Sequence, residues 1–222
     1  MVNSPDWVSG GNAPLGYPLP GTVDEGKTIN GATVPSVPVG TLATFRDEGT
    51  TRLGSCSFIF LPGVTSTVAG DVVSYRQSLG TDVPGDVNDG AATARWAGTA
   101  NTGYPLAVAT AATNLQSKWG WYQLQGAAII NTSGTITAGN AVYFGQVATL
   151  QNNAAVGGKQ VLGIQASSAT DVPDTGQAIF TIERDKAGNI SLDKHFENSD
   201  RFFQSRLRSR IKVILYHRGH ES

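Results

Sequence analysis

The chain has 222 residues, the length of one large domain or two small ones, with 40% hydrophobic residues and a formal net charge of −1. Charged residues make up only 15% and glycine supplies 27 positions, which excludes a fold resting on long amphipathic helices, since their faces need Leu, Glu, Lys and Arg. The near-zero charge also excludes a global field that would gather nucleic acid or anionic lipid.

Residues 1–38 hold six of the ten prolines, Pro5, Pro14, Pro18, Pro20, Pro35 and Pro38, interleaved with glycines. Proline removes a backbone donor and biases its predecessor to extended conformations, so this zone is expected to be an extended arm. With few apolar side chains of its own, such an arm is expected to order on something outside the monomer. Trp7 and Tyr17 are its candidate anchors into a partner. The arm begins with neither the basic start nor the apolar run of a signal peptide. No stretch of the chain approaches the about 18 apolar residues of a membrane span, so a soluble protein made in the cytoplasm is expected.

Within the arm, Gly21–Thr28 (GTVDEGKT) satisfies the phosphate-loop pattern G-x-x-x-x-G-K-[ST]. That pattern works only between a buried strand and a helix, where backbone N–H groups cradle phosphates. Here NAPLGYPLP precedes it and INGATVPSVPVG follows it, and both are interrupted by proline. Asp24 and Glu25 inside the loop would repel a triphosphate. A polar turn in the arm is expected, with no nucleotide.

Residues 39–183 form the body. Its expected strands are Thr41–Arg46, Cys56–Leu61, Asp71–Arg76, Leu106–Ala109, Trp121–Gln125, Ala127–Asn131, Ala141–Phe144, Val161–Gln165 and Ala178–Glu183, separated by turn compositions such as GTANTG and NTSGT. Ala107–Leu115 alone has a helical alternative. AGDVVSYRQ (Ala69–Gln77) aligns with AGNAVYFGQ (Ala138–Gln146), PLAVATAAT resembles VLGIQASSAT, and WGWYQLQG takes the place of GQAIFTIE. Two similar strand sets closing one β-barrel or β-sandwich are therefore expected, with Ser78–Gly103 inserted in the first.

Candidate chemistry is sparse. The lone cysteine, Cys56, can form no internal disulfide and reads as a buried strand residue. The loop Asp82–Gly90 (DVPGDVNDG) is oxygen-rich but lacks the alternating spacing of an EF-hand, which leaves a solvated loop or a calcium site. There is no G-x-S-x-G, and His195, His217 and His220 all fall after the body. No catalytic residue, cofactor, metal or small-molecule substrate is expected. Trp119 and Trp121 alternate on one strand and share a face, which could be core, a sugar-stacking surface or a subunit interface.

Residues 184–222 break the composition. Residues 1–183 carry 7 Lys/Arg and 12 Asp/Glu (−5), whereas 184–222 carry 9 and 5 (+4). This basic C-terminal tail is expected to hold a short helix over Gln204–Arg210 and a strand over Ile211–His217. Arg206, Arg208 and Arg210 would line one side of an extended segment. They suit an acidic protein surface at least as well as nucleic acid.

The segments VPVGTLATFRD, STVAGDVVSY, NTGYPLAVATAAT, WGWYQLQGAAI, TAGNAVYFG and QVLGIQASSAT resemble the texture of tailed-bacteriophage head decoration (capsid cement) proteins over roughly Val34–Glu183. That resemblance implies an all-β domain, usually a homotrimer, seated on the major capsid protein and clamping neighbouring capsomers. The expected function is thus a structural virion protein at the capsid surface, not an enzyme, acting by multivalent contact. The alternative is a carbohydrate- or receptor-binding module of a phage fibre or tail that uses Trp119 and Trp121.

Overall fold

A computed structural model describes residues 5–10, 16–76, 92–95, 105–152, 160–169, 171 and 175–183. The chain divides into a unit of residues 1–192 and a second of 193–222. The second lies outside the described residues, as do the helix and strand expected after Arg184 and most of Ser78–Gly103.

The described residues contain strands and no helix. The strands are β1 (Trp7–Ser9), β2 (Lys27–Ile29), β3 (Ala32–Val34), β4 (Leu42–Asp47), β5 (Gly54–Pro62), β6 (Val72–Arg76), β7 (Ala92–Arg95), β8 (Leu106–Ala109), β9 (Trp119–Asn131), β10 (Tyr143–Phe144), β11 (Leu150–Gln151), β12 (Ile164–Ala166) and β13 (Gln177–Ile182). Nine of them form one antiparallel sheet in the order β1-β4-β5-β9-β8-β6-β7, with β13 paired on β9 and β12 on β13. Ala107–Leu115 is the end of a strand followed by turns, because the small-residue run ATAAT has neither the long side chains nor the caps of a helix.

β5 explains where the core sits. SCSFIFLP is a nearly continuous apolar run and is buried on both faces. Cys56, Phe58 and Phe60 join Phe45, Trp119, Trp121 and Trp7 on one side. Ile59 and Leu61 join Tyr122, Leu124 and Val73 on the other. The rings meet edge to face: Trp7 and Phe58 have centroids 5.0 Å apart at 82°, Phe45 and Trp121 5.1 Å apart at 66°, geometries that suit the aromatic quadrupole.

The two segments expected as separate strands around Gly126 are one long β9. Its first half pairs with β5 and β8, its second with β13. Gly126 permits the change with φ +97°, beside a bulge at Ser57/Phe58. A Cβ there would lie 2.6 Å from Cys56 Sγ and 3.1 Å from the Ser55 carbonyl oxygen. Gly126→Ala is therefore expected to destabilise the fold by about 2–4 kcal/mol, combining backbone strain with overpacking. Urea denaturation checks this.

The aligned segments share local bonds. Gly70 (φ +85°) and Gly139 (φ +83°) each occupy the third position of a turn, closed by Asp71 N–H to Val68 O and by Asn140 N–H to Thr137 O. Gly70 N–H then donates to Ala109 O at 2.8 Å, and Gly139 N–H to Ala166 O at 2.9 Å.

Candidate functional site

In a chain without described helices, loops need another way to satisfy their amides. Three buried carboxylates do this: Asp24, Asp47 and Asp71 are 7%, 5% and 2% exposed. Asp24 takes Gly26 N–H, Ser36 N–H and the Ser36 hydroxyl, and so closes the base of the β2–β3 hairpin. The hairpin turns at Asn30-Gly31, both with positive φ (50° and 81°), the combination favoured in two-residue turns. GTVDEGKT is thus the entry to a hairpin, and its Gly26 amide is occupied by its own aspartate. Glu25 pairs with Lys118 at 2.8 Å, and the backbones of Asp24 and Trp119 exchange hydrogen bonds.

Asp47 fixes the start of the arm. Its carboxylate accepts Asp6 N–H, Gly49 N–H, Leu53 N–H and the Thr51 hydroxyl. Burial would raise its pKa, but those hydrogen bonds, Thr51 first, outweigh it and hold the carboxyl below its usual 3.8. A depressed pKa contributes stability that is complete above the unfolded value and lost as pH falls through the folded one. The β1 contact is therefore expected to loosen below about pH 4. Asp47→Asn should cost about 2 kcal/mol at pH 7 and flatten the acid limb of the stability profile. Thermal melts between pH 7 and pH 3 measure both.

With the arm clamped, a cleft of about 590 Å³ remains between it and the sheet. One wall is the arm at 5–7 and 19–22, and the other is the exit of β8 at 108–112. Gln123, Ile129 and Gln177 lie along it. Gln123 stands on the same face of β9 as Trp119 and Trp121. It is 2% exposed, and its Nε2 donates to the carbonyls of Gln125 (3.3 Å) and Ala127 (2.7 Å). Its Oε1 accepts no bond from a described residue.

The sequence-derived contact residues are mostly internal. Trp7 (5% exposed), Trp119 and Trp121 (1% each) are core residues, with Tyr17 packed against them. Trp121 also donates through Nε1 to Pro18 O at 2.6 Å. Two expectations are thereby corrected. The described arm orders on its own chain, because Trp7, Tyr17 and Val37 cover an aromatic face that β4, β5 and β9 would otherwise expose. The Trp119/Trp121 face is covered by that arm and offers no open ring for a sugar. Arg206, Arg208, Arg210 and the Asp82–Asp89 loop lie outside the described residues.

Cys56 is buried, and burial pushes its thiol up to about 12, against a partly offsetting backbone hydrogen bond of Ala127. A thiol so far from ionisation is a packing group. Among the described residues no group of three or more His, Cys, Asp or Glu could hold a metal ion, and no helix is long and apolar enough to cross a membrane. Sequence reasoning passed over Gln123, although W-G-W-Y-Q places a polar residue in phase with two core tryptophans. No family model, curated protein or solved structure matches the chain.

Proposed function

We propose that the chain is a structural virion protein that binds the outside of a phage capsid as a homotrimer and cements neighbouring capsomers. Its segments resemble decoration proteins, and one observation carries the reading further. The row Leu42–Ile59–Tyr122–Ala109 crosses β4, β5, β9 and β8 at one rim of the sheet. At or beyond that rim stand Leu19, Ile29, Leu42, Val68 and Leu115, each 41–55% exposed. These are five of the six exposed large apolar side chains among the described residues, and such clustering marks a contact surface. On this side Glu25 and Lys118 pair with each other, which leaves the exposed Lys27 beside Ile29 as a cation in no described ion pair. Weak contacts through the rim, multiplied by a trimer and a lattice, give tight attachment without a catalytic group.

The matched glycine turns support closure of two similar strand sets into a barrel or sandwich, the form such proteins take. The carbohydrate- or receptor-binding alternative has lost its tryptophan face and rests on the cleft alone. Light scattering of the purified chain is expected to give a trimer, and capsids stripped of the protein should rebind it. Ile29→Lys with Leu42→Lys should abolish rebinding while leaving the melting temperature unchanged. A monomer that ignores capsids overturns the proposal.

A further inference from the structure

The cleft lies between the arm and the sheet, and the capsid reading makes no use of it. We propose that it takes an uncharged, hydroxyl-rich ligand of mono- or disaccharide size.

Three observations select that class. The volume, about 590 Å³, falls inside the roughly 300–1,000 Å³ of small-molecule sites. Acceptors without a described partner line one part of it. Gln123 Oε1 belongs to a side chain that is 2% exposed and whose Nε2 is fully engaged. Gln177 spends its Nε2 on Asn131 Oδ1 at 3.2 Å, which leaves its Oε1 open. Both amide oxygens reach the cleft's solvent, since Thr67 Oγ1 is the one buried side-chain polar atom without a partner among the described residues, and so they are available to a ligand donor.

Donors line another part. The backbone N–H groups of Ala111 and Ala112 donate to no described residue, although Ala111 is only 5% exposed. A ligand must therefore both accept and donate at several points, which is the property of a set of hydroxyls. Among the described residues lining the cleft, Asp6 is the one ionisable side chain, and it is in no described ion pair. Its negative charge opposes an anionic ligand. Val108, Leu53 and Ile129 supply apolar wall for the C–H face of a ring. Trp7 presents no open ring face, so the affinity is modest.

Saturation-transfer NMR on the full chain tests this with glucose, galactose, N-acetylglucosamine and maltose as probes and sialic acid as the anionic control. At least one neutral probe should saturate with a Kd of about 1–10 mM, and sialic acid should not bind. Gln177→Ala removes an acceptor, and Ala112→Trp blocks the cleft from an exposed position. Each should weaken binding by about tenfold or more, with an unchanged melting temperature. The inference is overturned by no saturable response to any neutral probe. It is equally overturned by equal binding of sialic acid, or by binding that neither variant alters.

Discussion

Removing residues 1–38 is expected to unfold the body and not merely to free it of an appendage. The deletion takes away Trp7 and Val37, both buried, and uncovers Phe45, Phe58, Phe60 and Trp121. Trp7→Ala alone should cost about 3–5 kcal/mol, against the about 5–15 kcal/mol that typically separates folded from unfolded. Near-UV circular dichroism and a thermal melt decide the matter. A cooperative melt within a few degrees of the intact chain would show that the arm is not part of the core. The proposed capsid attachment is accordingly better probed by rim substitutions than by truncation.

Asp71→Ala is expected to be nearly as damaging. The carboxylate is 2% exposed and receives Arg95 through Nε at 3.0 Å and Nη2 at 2.9 Å, with further bonds from Val68 N–H and Asn131 Nδ2. Removing it strands a guanidinium and two amide donors together, a loss of about 3–5 kcal/mol. Asp71→Asn should be milder, since it keeps the shape and one acceptor. Urea denaturation of the two variants, with Arg95→Met beside them, separates the buried charge from the hydrogen bonds. An Asp71→Ala loss below about 1 kcal/mol would contradict the geometry.

The same carboxylate shows where sequence reasoning reached its limit. The repeat pairs Asp71 with Asn140, and the glycine turns before them make the same bonds. Yet Asp71 is buried and Asn140 exposed. Arg95 in β7, within the segment taken as an inserted loop, supplies the counter-charge. No local pattern announces a pair 24 residues apart. Strands with strong apolar content were legible: Leu106–Ala109 is as expected, and β4, β5, β6 and β13 differ by a residue or two at their ends. Short strands made by pairing were not. β1 owes its existence to β4 and to the Asp47 clamp, and WVS has no alternation long enough to declare itself. Proline content pointed to an extended arm, whereas residues 27–34 fold back as the β2–β3 hairpin, which contains no proline. It carried no information about what the arm would lie against.

The cleft was invisible for a related reason. Its walls come from the arm, the β8 exit and β13, which only the tertiary fold assembles. A glutamine in a strand signals nothing until its neighbours are known.

Cys56, the single cysteine of the chain, gives the protein an internal reporter. Its Sγ lies between Leu53 O, Gly54 O and Ala127 O, under the bend of β9. In the closed fold the sulfur is both shielded and protonated, so a thiol-reactive dye can reach it only when β5 and β9 part. The labelling rate therefore times the opening of the sheet's central seam under native conditions. Comparing that rate for the free chain and for the chain bound to a capsid, as proposed above, would reveal whether attachment stiffens it.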